Sequence, residues 1–205
     1  MIKMFLSSSF SDVVSLFKSF AEEEVAGKKV TFIPTASIVE KYVGHVENDK
    51  KAFESLGIIV DVLELSTASS ADIKNKITSN DYIFISGGNS FYLLQILKET
   101  GADLLIKEQV SKGKLYIGTS AGSVVMSPNI QYIGLMDDKS FAPKLTAYNA
   151  MGVTDQYPLV HYGSEPFATV AEEVYQKYKD KLPLVLLSNY QVMIVQDQDT
   201  MVLSI

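Results

Sequence analysis

Short apolar, β-branched runs alternate with longer stretches in which apolar residues recur every three or four positions. The runs Ile2–Leu6, Lys29–Ile33, Ile58–Leu63, Tyr82–Ser86 and Leu115–Thr119 read as strands, and the stretches at about Ser11–Val25, Val39–Leu56, Ala71–Ser79 and Ser90–Lys112 read as helices, the last broken at Gly101. Strands that are hydrophobic along their whole length are buried on both faces, and strands separated by helices connect in parallel. The pattern therefore predicts an α/β fold, a doubly wound, mostly parallel sheet with helices on both faces. Past Met126 the pattern loosens into a loop-rich region over 127–157, a helix near Glu165–Tyr178, and runs at Leu184–Leu187, Gln191–Val195 and Met201–Ser204. The last two, joined by Gln196-Asp197-Gln198-Asp199, predict a hairpin at the sheet edge. No repeat or linker divides the 205 residues, which predict a single domain over 1–205.

Composition narrows the partners. A net charge of −6 with a pI near 5.0 argues against a nucleic-acid or anionic-membrane surface, both of which need clustered cations. No apolar run reaches the roughly 18 residues that span a bilayer, and Met1–Leu6 reads as a first strand without signal-peptide architecture. The expectation is a cytoplasmic protein acting on a small molecule or peptide, with a homodimer as the assembly to test. Cysteine is absent, so acyl chemistry falls to serine, and no His, Asp and Glu cluster has metal-binding spacing. No metal or organic cofactor is expected. All 18 basic residues are lysines, so recognition of an anion must use Lys, a helix N-terminus or backbone amides.

The first chemical signal is Gly118-Thr119-Ser120-Ala121-Gly122, which follows an apolar strand and opens into Ser123-Val124-Val125-Met126. A sharp strand-to-helix turn projects the serine hydroxyl, and side chains at the flanking glycines would collide with neighbouring elements. Ser120 is the candidate nucleophile, and a helix from Ala121 would aim N–H groups where an oxyanion forms. In such sheets the loops at the carboxyl ends of the strands converge, bringing Ser7-Ser8-Ser9, Pro34-Thr35-Ala36-Ser37 and Gly87-Gly88-Asn89-Ser90 toward Ser120. Gly88 offers an unobstructed N–H, a second oxyanion donor beside Ala121, while Asn89 is a substrate-binding or helix-capping group. A serine needs a base. Of the two histidines, His161 follows the apolar run Tyr157–Val160 next to a glycine loop and is the candidate base, whereas His45 lies in a charged helical stretch and reads as a solvated surface residue.

The set I-G-T-S-A-G around Ser120, G-G-N-S-F at Gly87–Phe91 and Y-P-L-V-H-Y at Tyr157–Tyr162 resembles the dipeptidase E (alpha-aspartyl dipeptidase) family of serine peptidases, relatives of cyanophycinase. The resemblance implies a fold like that of class I glutamine amidotransferases, Ser120 as nucleophile, His161 as base, Gly88 and Ala121 as oxyanion hole, and a site that takes dipeptides or small peptides. It also implies an acidic third triad member. Where one location is expected the chain has Asn189, and near the other it has Asp137 and Asp138, so Asn189 and Asp138 both stand as candidates. A preference for N-terminal Asp implies a cation; with arginine absent, Lys139 and Lys144 are the candidates, giving a weak preference. An α/β-hydrolase esterase and an amidotransferase-like binding or stress protein without turnover are the alternatives.

Overall fold

The computed structural model describes residues 1–21 and 23–205. In chain order its elements are β1 (Lys3–Ser7), α1 (Phe10–Ala21), β2 (Lys29–Ile33), α2 (Gly44–Ser55), β3 (Ile59–Val62), α3 (Ser70–Ser79), β4 (Tyr82–Ile85), α4 (Ser90–Thr100), α5 (Ala102–Ser111), β5 (Tyr116–Thr119), α6 (Ala121–Val124), β6 (Tyr157–Leu159), α7 (Ala168–Tyr178), β7 (Leu184–Leu186), β8 (Gln191–Gln196) and β9 (Asp199–Ser204). Seven strands form one sheet in the order β3-β2-β4-β5-β1-β8-β9. β1 to β5 pair in parallel, β8 runs antiparallel to β1, and β9 closes the edge as the expected hairpin. β6 and β7 form a separate two-stranded parallel ladder.

Alternation along the strands feeds two core layers. Met4, Leu6, Ile83 and Ile85 point to a layer closed by α3, α4 and α5, and Phe5, Phe32, Tyr82 and Phe84 point to a layer closed by α1 and α2. The second layer is aromatic, with Phe10 stacked on Phe53 at 4.3 Å between ring centroids. A third cluster joins α4, α6 and α7 to the 130–160 region and packs the β6–β7 ladder against them.

Two departures from the sequence reading bear on the site. Gly101, at φ 71°, separates α4 from α5 as expected, but α2 begins at Gly44 and not at Val39. A Cβ at Gly44 would lie 2.5 Å from the Tyr42 hydroxyl, so the chain folds back on itself just before the helix. The helix expected from Ala121 is a single turn of four residues. Pro128 lies shortly beyond it and cannot continue a helical hydrogen-bond ladder. Among the described residues no helix is long and apolar enough to cross a membrane.

Candidate active site

β5 delivers Ser120 at φ 49° and ψ −112°, a conformation that side chains rarely adopt. Close packing enforces it. A Cβ at Gly118 would lie 2.6 Å from the Gly122 carbonyl oxygen, and one at Gly122 would lie 2.1 Å from the Ile85 oxygen. Both glycines are therefore required by backbone approach, with nothing flexible to move aside. The turn is tied to the end of β1: the Ser120 N–H donates to Ser7 O at 2.9 Å and the Ser123 hydroxyl donates to the same oxygen at 2.7 Å.

His161 follows β6 at φ 59°. Its Nδ1 lies 2.7 Å from Asn189 Oδ1, and its Nε2 lies 3.1 Å from Ser120 Oγ. An amide oxygen only accepts, so Nδ1 carries the proton and Nε2 is left as the acceptor for the Ser120 hydroxyl. Burial holds the His161 pKa below the usual histidine range, against the Asn189 hydrogen bond and with the field of His45 adding to the depression. A neutral imidazole facing a serine hydroxyl is the arrangement a general base requires.

Gly88 stands beside this pair at φ 133°, where a Cβ would lie 2.2 Å from the Ala36 carbonyl oxygen. Among the described residues its N–H meets no acceptor. Ala121 opens α6, so its N–H has no partner within the helix. Both line the turn around Ser120, as an oxyanion hole would require.

These groups surround a cavity of about 780 Å³, large enough for a small ligand. Its charged lining is acidic: Glu40, Asp137, Asp138 and Glu165 face it, and no lysine does. Burial pushes the Asp137 carboxyl up to about 6, against a hydrogen bond from the Ser90 N–H at 2.8 Å, with Glu40 adding to the rise.

Several expected site residues lie elsewhere. Lys139 does not reach the cavity; its ammonium sits over the rings of Tyr148 and Phe91, at 4.7 and 5.2 Å from their centroids. Lys144 is on a separate surface depression, ion-paired with Glu99 at 3.4 Å. Asp138 is not at the imidazole either. Its carboxylate accepts from the Ser140 N–H at 2.8 Å, which together with the Ser140 hydroxyl holds its pKa below the usual carboxylate range. Asn89 borders the cavity but its amide is committed: Oδ1 caps α4 through the N–H groups of Phe91 and Tyr92, and Nδ2 donates to Asp138 O at 3.0 Å. His45, expected on a solvated surface, is half-buried in the cavity wall with Nε2 at 3.3 Å from Gly87 O.

Two further residues shape the site. The Ser8 hydroxyl donates to Leu187 O at 2.9 Å and accepts from the His161 N–H at 3.0 Å, so one side chain links His161 to the end of β1. Phe167 stacks on the His161 ring at 4.8 Å between centroids. The serine run after the first strand hinted at Ser8; no local pattern marked Phe167. Among the described residues no group of three or more acidic or histidine side chains could hold a metal ion.

Known proteins resemble this chain in sequence and in fold. The model of peptidase family S51 matches residues 4–203. An uncharacterized peptidase of Listeria monocytogenes is 46% identical over 199 residues, covering 97% of both chains, and one of Pasteurella multocida is 42% identical over 198 residues, covering 97% of this chain and 95% of its own. The crystal structure of a peptidase E candidate from Listeria monocytogenes EGD-e superposes with a TM-score of 0.96 at 44% identity, over 100% of this chain and 99% of that one. A peptidase from an acI-B1 actinobacterium shares the fold at a TM-score of 0.74 and 20% identity, over 100% of this chain and 88% of its own.

Proposed function

The chain belongs to peptidase family S51, and from that premise we propose that it is a serine peptidase that hydrolyses dipeptides or small peptides through an acyl-enzyme on Ser120. The reading rests on one observation above others: Ser120 Oγ, the His161 ring and Asn189 Oδ1 stand in line at 3.1 and 2.7 Å. In the reaction so proposed, His161 Nε2 takes the Ser120 proton as Oγ attacks the peptide carbonyl, and the oxyanion is held by the Gly88 and Ala121 N–H groups. His161 then protonates the departing amine, and water, deprotonated by the same nitrogen, releases the acid. Asn189 fixes the tautomer and aims the ring. It gives no negative charge to the imidazolium, so the turnover is expected to be slower than that of a carboxylate triad.

The charge of the cavity supports a substrate without an acidic N-terminal side chain. The weak aspartyl preference expected from Lys139 or Lys144 has no support, because neither lysine lines the cavity while four acidic residues do. An aspartate brought into this lining meets like charges in a partly desolvated space, which opposes its binding. Peptides beginning with a neutral or basic residue are the better match. A fluorophosphonate probe should label the wild-type protein and leave Ser120→Ala unlabelled, and a dipeptide panel should then rank Ala-X and Lys-X above Asp-X. Equal labelling of Ser120→Ala would remove the serine mechanism; cleavage of Asp-X in preference to the others would remove the charge argument alone.

A further inference from the structure

We propose that His45 is a positioning residue that sets the oxyanion hole, by holding the Gly87–Gly88 peptide in the orientation that turns the Gly88 N–H toward the reacting carbonyl. This inference rests on the serine-peptidase reading and adds to it a residue outside the Ser120, His161 and Asn189 set.

The geometry is specific. A carbonyl oxygen accepts, so the 3.3 Å contact between His45 Nε2 and Gly87 O has the imidazole as donor. The Gly87 oxygen also takes the Ser86 hydroxyl at 3.1 Å, so two donors converge on it. Gly87 C=O and Gly88 N–H are the two ends of one trans peptide, whose planarity makes them point in opposite directions. Anchoring the carbonyl therefore aims the N–H. The plane is also gripped from the side: a Cβ at Gly87 would lie 3.1 Å from Ser120 Cβ and 3.6 Å from His45 Cδ2, which leaves the glycine wedged between nucleophile and imidazole.

The flanking backbone makes such an anchor necessary. Gly88 lies at φ 133°, a conformation that glycine adopts readily, and has no side chain of its own to fix the peptide. Asn89 N–H donates to Ala36 O at 2.8 Å and fixes the downstream end, but the Gly88 N–H itself has no acceptor among the described residues. Preorganised donors contribute to catalysis because they need no reorientation as charge develops. His45 arrives in the first turn of α2, whose start at Gly44 brings that turn to the carboxyl ends of the strands.

Fluorophosphonate inactivation tests the role without knowledge of the natural substrate, because the probe's phosphoryl oxygen occupies the place of the substrate oxyanion. The rate at saturation and the half-saturating concentration are measured for wild type, His45→Phe, His45→Gln and Ser120→Ala, with melting temperatures alongside. His45→Phe keeps a ring and loses the donor, and its saturating rate is expected to fall on the order of 10-fold, less than the 100-fold or more for deleting a donor outright, at an unchanged half-saturating concentration. His45→Gln keeps an N–H at the same reach and should stay within about threefold of wild type. If the phenylalanine variant does not fold, His45→Leu is read the same way.

A donor-less variant that reacts at the wild-type rate overturns the proposal. So does a glutamine variant as slow as the phenylalanine one, or a change confined to the half-saturating concentration, which would make His45 a ligand contact. A wild type as unreactive as Ser120→Ala overturns the serine reading and this inference together, whereas a reactive wild type matched by His45→Phe overturns this inference alone.

Discussion

Ser120 and His161 both sit at positive φ, 49° and 59°, yet the two sides of the site hold them by different means. On the Ser120 side the constraint is backbone against backbone: Gly118, Gly122 and Gly88 pack where a Cβ would lie 2.1 to 2.6 Å from a carbonyl oxygen. On the His161 side the constraint is a relay of side-chain hydrogen bonds, from the His161 N–H to the Ser8 hydroxyl, from the His161 ring to Asn189, and from the Asn189 N–H to the Ser164 hydroxyl. A steric constraint fails all at once, because a backbone carbonyl has nowhere to go. A relay fails by degrees, one bond at a time.

The difference predicts a graded set of outcomes. The largest is expected from Gly122→Ala, whose methyl would meet Ile85 O at 2.1 Å. It should cost about 3 kcal/mol or more, lower the melting temperature by roughly 10 °C, and abolish fluorophosphonate labelling. A stable, reactive Gly122→Ala would show that the turn is held by something other than this contact.

Next comes the relay's central bond. Asn189→Ala should lower kcat on the order of 100-fold with the melting temperature nearly unchanged, because the ring loses its orientation while the core is untouched. Asn189→Asp sharpens the point through pH. In the wild type a depressed His161 pKa keeps the base neutral at slightly acidic pH, so kcat/KM should fall only below the ordinary histidine range. A carboxylate at 2.7 Å from Nδ1 favours the imidazolium, raises that pKa and moves the acidic limb to higher pH, with a faster plateau above it. An unmoved limb would mean that position 189 does not govern the ring.

The smallest effect belongs to Ser8→Ala, which leaves the His161 N–H and the Leu187 carbonyl without their shared partner. About 1 kcal/mol of stability should be lost, seen as a fall of roughly 2–4 °C in melting temperature, with kcat reduced a few-fold. A change as large as that of Gly122→Ala would erase the distinction between the two sides.

The same distinction explains what could be read from the sequence. Backbone crowding leaves small residues at fixed spacing, so the turn at Ser120 and the Gly87-Gly88 pair were legible, as was the sheet, whose strands bury Met4, Ile83 and Phe84 through simple runs of apolar residues. Long-range bonds leave no such spacing. Ser8 and His161 lie 153 residues apart, and Phe167 reaches the imidazole only because α7 and the β6–β7 ladder pack together. His45 was misread for a local reason: in a charged stretch assigned to the middle of a longer helix it looked like surface, whereas a start at Gly44 places it in the first turn. Lys139 and Lys144 have the charge and lie in the loop between Ser120 and His161, but neither property fixes where a side chain points. Their actual partners, the Phe91 and Tyr148 rings and the Glu99 carboxylate, are set by the fold of the 134–148 region, which carries little periodic pattern.

The position of β1 has a consequence for the order of assembly. It lies between β5, which leads into Ser120, and β8, a strand from near the end of the chain, and the loop that follows it bonds to Leu187 across 179 residues. Contacts of such separation close late, because the entropy of closing a long loop is lost before the contact can form. During synthesis the elements through α6 can collapse around Ser120 while the histidine and asparagine are still to come. On the serine-peptidase reading, the nascent protein would carry Ser120 without His161 and Asn189 beside it, and hydrolysis would begin only once 157–196 docks onto the first strand.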